Sequence, residues 1–302
     1  MKIQLSLLYL LLSLASCISF KPKNSFKIEV SSPAQALTAQ HLEAIKNRLA
    51  PSSKAIKIEA VGNNQAYISL KTKTTEEHIR TLLKTPGAVA FYETASIKQI
   101  MPSIIDLYNE ELDPERDYSI KHFREVFMAG LPNNTTYIGL SNVKDTALVN
   151  RTLHSEKVQS ALQKENLNVT FAWGIPETNG VITLYALILD SSGKPAMHGK
   201  FITRSTQSFS QVGEPTINIT MTDTAATAWE TLTTRAARDR FAIAIVIDNQ
   251  VYAAPMANQP ITGGQTEISG NFTVESAHNL TQVISTGVIP QLEITSFITN
   301  DD

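Results

Sequence analysis

One cysteine, Cys17, stands in 302 residues. A disulfide within the chain needs two thiols and a thiolate zinc site needs several, so the count excludes both. An excess of one charge is lacking as well: 26 Lys and Arg face 28 Asp and Glu, a formal net charge of −2. A nucleic-acid binder takes its affinity from a dense basic footprint on phosphate, and this balance supplies none. Long hydrophobic runs are missing from the body of the chain. The longest, Phe241 to Ile247, stops at Asp248–Asn249, far short of the ~20 residues of a spanning helix. Compact catalytic signatures are missing too. His41, His78, His122, His154, His198 and His278 form no His-Glu-x-x-His pair, and no Gly-x-Ser-x-Gly elbow occurs. Gly263–Gly264 is followed by no Lys-Ser/Thr, so it reads as a hairpin turn rather than a phosphate cradle. No catalytic, cofactor-binding or metal-ligating residue is assigned, and the chain reads as a non-enzyme. What is present is 42% hydrophobic and 18% charged residues, enough to bury a core and too apolar for disorder. The length suggests about two domains.

The N-terminus carries an address. Met1–Lys2 is followed by a nearly unbroken apolar run from Leu5 to Leu14, the length of a signal-peptide core rather than of a membrane span. It closes on Leu14-Ala15-Ser16-Cys17, which resembles the bacterial lipobox. That resemblance implies a lipoprotein signal peptide over 1–16, lipid attachment at Cys17 and a tether over 17–25. Acyl chains at ~0.8 kcal/mol per buried methylene would hold the body on a membrane. Ile18 follows the Cys, with no Asp to mark inner-membrane retention. The expected place is the cell envelope, lipid-anchored and facing the periplasm, with the outer membrane favoured over the inner.

Along the body, Phe26 to Val30 alternates at the strand period. Leu37, His41, Ile45 and Leu49, with Leu42 and Arg48 beside them, mark a helix stopping at Pro51. Ile56 to Ala60 and Ala66 to Leu70 flank a turn at Gly62-Asn63-Asn64. Thr74 or Thr75 caps a helix carrying Ile79, Leu82 and Leu83, ended by Pro86–Gly87, and Ala88 to Tyr92 is the next strand. The order β-α-β-β-α-β predicts a ferredoxin-like arrangement. From Ile97 to Pro132 the pattern is mostly helical. Tyr137 to Leu140 reads as a strand, Asp145 to Leu162 as a helix, and Val169 to Trp173 and Val181 to Leu189 as strands. Thr216 to Met221 is a strand, and Thr222 or Asp223 caps a helix with Ala226, Trp229, Leu232, Thr233 and Ala236 on one face. On that face Trp229 is a core residue. Phe241 to Ile247 is a buried strand turning through Asp248–Asn249 into Val251 to Ala254. Thr273 caps a helix with Val274, Ala277, Leu280, Val283 and Ile284 inward and Gly287 as its stop; Gln291 to Ile298 is the last strand.

Three blocks in this last third resemble the SecD and SecDF protein-export subunits. They are Ile243-Ala244-Ile245-Val246-Ile247-Asp248-Asn249-Gln250-Val251-Tyr252-Ala253-Ala254-Pro255, then Pro260-Ile261-Thr262-Gly263-Gly264 with Ile268-Ser269-Gly270-Asn271-Phe272-Thr273-Val274-Glu275, and Gly287-Val288-Ile289-Pro290. Thr38 to Phe91 is similar to that family's base region. Ser141 to Ala147 and Leu184 to Leu187 resemble the longer form of the domain in Bacteroidota SecDF. The resemblance implies the first periplasmic domain of that family: an α+β fold with a ferredoxin-like base (26–96 plus 288–302) and an inserted α+β head with a family-specific insertion (97–287). It also implies contact with unfolded or translocating polypeptide and with Sec translocon components. The family's transmembrane helices and intramembrane charges have no counterpart here, so no proton-coupling part is expected, since charge must cross the bilayer to draw on its potential. The expected function is a non-enzymatic envelope lipoprotein that binds polypeptide and assists export, without cofactor or nucleic acid. The alternative is a repurposed structural or assembly lipoprotein binding one fixed envelope partner.

Overall fold

The computed structural model describes residues 24–109, 122–198, 201–270 and 272–301. Cys17, the leader and nearly all of the tether lie outside the described residues. The strand β1 (Asn24–Ser31) turns Phe26, Ile28 and Val30 inward and Lys27 and Glu29 outward, the pattern of a half-buried strand. Thr38 and His41 cap α1 (Ala39–Leu49) reciprocally: the Thr38 hydroxyl accepts the His41 N–H and the His41 ring accepts the Thr38 N–H. The hairpin of β2 (Ser53–Val61) and β3 (Gln65–Thr72) leads to α2 (Glu76–Lys84), which Thr75 caps and Glu76 and Glu77 favour through the helix dipole. Next come β4 (Val89–Ala95), α3 (Ile97–Asn109), the single turn α4 (Phe123–Val126), β5 (Phe127–Ala129) and β6 (Gly139–Asn142). Two short helices, α5 (Thr146–Leu153) and α6 (Glu156–Lys164), precede β7 (Val169–Trp173), β8 (Val181–Ile188), β9 (Met197–His198), β10 (Ile202–Phe209) and β11 (Pro215–Met221). The Thr222 hydroxyl caps α7 (Asp223–Asp239) by accepting the Ala225 N–H. From β12 (Ile243–Ile247) the chain turns through Asp248 and Asn249, both at positive φ (50° and 67°), into β13 (Gln250–Ala253). Two consecutive positive φ values are what a tight two-residue hairpin demands, and Asp and Asn tolerate them. The chain closes with β14 (Gln265–Ser269), α8 (Val274–Ser285) and β15 (Glu293–Asp301).

These elements form an α+β fold of two layered bodies. In the base, the sheet order is β15-β1-β3-β2 with every neighbour antiparallel. Phe26, Ile28, Val30, Ile68 and Leu70 on one face of that sheet meet Ile45, Leu49, Ile79, Leu82 and Leu83 of α1 and α2. The head is built on the sheet β13-β12-β4-β8-β6-β5, with β7 added to β8 and β9 to β4, plus the separate sheet β10-β11-β14. Its main core packs Phe91, Trp229, Leu232, Ile243, Ile245, Ile217 and Leu280 together. Trp229 is 2% exposed, 4.8 Å from the Phe91 ring, and is core as the sequence indicates. A second head core joins α3, α5 and α6 to β8. The helix α8 serves both bodies: Ala277, Leu280 and Ile284 face the head core and Val283 faces the base core.

Several expectations are corrected. The strand expected to close the base, Ala88 to Tyr92, lies in β4, which pairs with β12, and β15 takes its place beside β1. Gly87, at a φ of +84°, redirects the chain after α2, and Phe91 is fully buried among head residues. Gly263–Gly264 is no hairpin turn, because β14, which follows it, pairs with β11. Gly264 instead lets the chain pass against α7: a Cβ there would stand 2.6 Å from that of Ala226. Ala225, not Ala226, is the buried residue of that helix face. Val274, expected inward, opens α8 and is 56% exposed. The helix expected over Asp145 to Leu162 is broken at His154–Ser155, and β5 interrupts the segment expected to be mostly helical.

Candidate functional site

Base and head are joined by two chain crossings, from α2 into β4 and from α8 into β15. Each contains a glycine at positive φ, Gly87 at +84° and Gly287 at +83°, a conformation that L side chains rarely adopt. Gly87 is required by packing as well: a Cβ there would lie 2.7 Å from Val283 Cγ1 and 3.0 Å from Arg48 Nη2.

Arg48 is the centre of this joint. It sits in the last turn of α1, is fully buried, and reaches both crossings. Its Nε donates to the Thr286 hydroxyl (3.2 Å) and Nη1 donates to the carbonyls of Leu82 (3.3 Å) and Thr85. Nη2 donates to the carbonyls of Pro86 (3.0 Å), Val283 (3.4 Å) and Gly287. Carbonyls at a helix C-terminus have no partner within the helix and carry partial negative charge, so the ends of α2 and α8 converge on one cation. Pro86 has no N–H, so the Leu82 carbonyl lacks its usual helical donor. Burial pulls the guanidinium down to about 10 and the charge of Asp248 opposes that shift; the group stays protonated at neutral pH.

The head grips the same crossing from its own side. The Asp248 carboxylate accepts the N–H groups of Gly87 (2.8 and 2.9 Å) and Ala88 (2.8 Å), and the Asp248 N–H donates to the Ala88 carbonyl (3.1 Å). The Ile289 N–H donates to the Pro86 carbonyl (3.0 Å), tying one crossing to the other. Beneath, the Gln282 amide donates to the Arg48 carbonyl and meets the Ser52 hydroxyl, which also contacts the His78 ring (3.1 Å).

Beside the joint, base and head enclose a cleft of about 930 Å³ whose walls include Gln35, Lys84, Val89, Tyr92, His198 and Asn249. Burial pushes the Tyr92 hydroxyl up from its ordinary value. The cleft's lining is about as polar as apolar, with amide, ammonium, carboxylate and imidazole groups set among Val89, Val246 and Ile289, so it offers a ligand both donors and acceptors.

Of the residues singled out by sequence, Cys17 lies outside the described residues, Trp229 is in the head core, and Gly264 packs on α7. Among the described residues no group of three or more His, Cys, Asp or Glu side chains could hold a metal ion, and no helix is long and apolar enough to cross a membrane. Sequence reasoning missed the roles of Arg48 and Asp248. The signal for Arg48 was its position three residues after Ile45 on the apolar face of α1, where a cation needs buried acceptors. Asp248 was legible only as a turn residue.

Residues 185–291 match the family described as "SecDF, P1 head subdomain", a span that holds the last-third blocks quoted above and the Asp248 turn. The chain is 29% identical over 212 residues to protein translocase subunit SecD of Rhodothermus marinus, covering 68% of this chain and 32% of that protein. It is 36% identical over 98 residues to protein translocase subunit SecDF of Thermus thermophilus, covering 32% of this chain and 13% of that protein. The chain thus spans about a third or less of these curated relatives. A crystal structure of SecDF in its super-membrane-facing form superposes with a TM-score of 0.54 at 17% identity, over 92% of this chain and 30% of that one. A second SecDF structure, of a membrane component that enhances protein export, superposes with a TM-score of 0.50 at 18% identity, over 89% of this chain and 98% of that one. At these identities the structures speak to fold alone. Residues 185–291 thus resemble the SecDF P1 head subdomain, within a mixed α and β fold that superposes on SecDF structures over about nine-tenths of the chain's length.

Proposed function

We propose that this chain is a non-enzymatic module of the cell envelope that faces the periplasm and assists protein export by holding polypeptide in the cleft between base and head. The observation that carries this reading is that the head subdomain shared with SecDF lines one wall of that cleft, through Val246, Asp248 and Asn249. The base forms the opposite wall through Gln35, Lys84 and Gln291, and the joint at Arg48 keeps the two walls in register. An extended segment there would be held by backbone hydrogen bonds with little sequence preference. In the same proposal Cys17 is the lipid attachment site, the base comprises the ferredoxin-like part and the rest the head, and Sec translocon components are neighbours. In this proposal the module acts on chains that other machinery moves.

The test is site-specific photo-crosslinking from Tyr92 or Asn249 in cells exporting a stalled substrate. Crosslinks to the stalled chain support the proposal. Crosslinks to one fixed protein, with none to the substrate, would favour a structural or assembly lipoprotein instead. A mass spectrum of the mature protein tests Cys17: a diacylglyceryl mass on that residue supports the anchor and a free thiol refutes it.

A further inference from the structure

The base sheet has a second face, turned away from α1 and α2. The strand register sets its outward side chains in rows across the strands, of which the two central ones carry opposite charge. Ile298 is opposite Lys27, Lys27 opposite Ser69, and Ser69 opposite Lys57. Two residues along, Ser296 is opposite Glu29, Glu29 opposite Tyr67, and Tyr67 opposite Glu59. One row is therefore basic and the next acidic, ~7 Å apart at the rise of a strand. Among the described residues none of these four charges is seen in a salt bridge. The rows border a shallow depression of about 370 Å³, and Tyr67 and Ile298 stand 50% and 52% exposed on it.

We infer that this face is a docking surface for a second copy of the chain. A two-fold axis lying between the copies, parallel to the rows and midway between them, reverses the order of the rows without shifting positions along them. Lys27 then meets Glu29 of the second copy and Lys57 meets its Glu59. The same contacts recur with the copies exchanged, and Tyr67 packs over Ser69 of the second copy. A surface whose charges invert about its own midline is self-complementary, which is the requirement of an isologous dimer. A surface shaped for one different partner has no need of equal and opposite rows. Four strands ~4.8 Å apart and about six residues long give roughly 400 Å² per copy, about half the area of a standard stable interface. The dimer is therefore weak, formed at high local concentration and dispersed by salt, whose screening length is ~8 Å at physiological strength.

The experiment is sedimentation of the full chain in density-matched detergent, over a concentration series and at low and high salt. The natural chain self-associates at low salt, and 0.5 M salt raises the dissociation constant at least tenfold. Lys27→Glu with Lys57→Glu makes both rows acidic, and Glu29→Lys with Glu59→Lys makes both basic. Either pair raises the dissociation constant at least tenfold. All four substitutions together exchange the rows and restore association, a rescue that a merely structural effect would not give. The inference is overturned if the natural chain stays monomeric at every concentration, or if association ignores both reversals. It is also overturned if the monomer shields Tyr67 from a solvent label, which would mean that another part of the chain covers the face.

Discussion

Replacing Arg48 with Met keeps most of the side chain's volume while removing every donor. The carbonyls of Leu82, Thr85 and Gly287 then lose the guanidinium, and being backbone groups they cannot be removed along with it. A buried acceptor left unsatisfied costs about 1–3 kcal/mol. Water entering from the cleft relieves part of that, so about 4 kcal/mol is the expected loss, in the range for breaking a buried charged network. For a body of this size that lowers Tm by roughly 10 °C. Arg48→Lys supplies one point charge in place of a planar fork and should recover less than half of the loss. The loss should not vary with pH near neutrality. Burial holds the folded guanidinium near 10, below its ordinary value, so the unfolded chain binds more protons only above that pH, and stability rises with pH only there. Differential scanning calorimetry at pH 6 and 9 measures this, and amide hydrogen exchange at 84–88 and 285–289 locates it. An Arg48→Met protein that melts within 2 °C of the natural chain, with both crossings equally protected, would refute the joint.

Asp248→Asn keeps the turn but removes the charge that accepts the N–H groups of Gly87 and Ala88; a loss of about 1–2 kcal/mol in urea titration is expected. Gly264→Ala combines a φ of +64° with a Cβ 2.6 Å from Ala226, for an expected loss of about 2 kcal/mol by the same assay. Trp229→Ala empties the head core beside Phe91 and should cost about 3–5 kcal/mol, read by thermal unfolding. His78 is held below its ordinary pKa by burial first and then by the His278 charge, with Asn279 and Glu275 opposing. The unfolded chain then binds the extra proton as pH falls below 6.5, so this contribution to stability declines on acidification. A pH series on His78→Gln should show a flatter stability curve between pH 7 and 5.

Local signals were legible where they were strong. The caps Thr75, Thr222 and Thr273 stand ahead of their helices, and the alternation of β1, β3 and β11 is visible in the sequence. The missed strand β10 reads Ile-Thr-Arg-Ser-Thr-Gln-Ser-Phe; as an edge strand it buries only Ser205 fully, so it shows little apolar period. Partner choice was not legible at all. The pattern of β4 is that of any strand, and its pairing with β12 spans about 150 residues of sequence. Hydrophobic period states which face is buried but not against what.

The same limit explains why the joint escaped sequence reasoning and why an arginine occupies it. Apart from the Thr286 hydroxyl, every acceptor of Arg48 is a backbone carbonyl, a group that every residue possesses and no composition reveals. Those carbonyls exist because two helices end at the place where the chain leaves one body for another. An apolar residue at position 48 would leave the helix ends open, and a carboxylate would repel them. A lysine offers one centre where the acceptors lie on several sides. The planar fork of arginine, carried in the last turn of a third helix, reaches both crossings at once, so the angle between the walls of the cleft follows from where three helices stop.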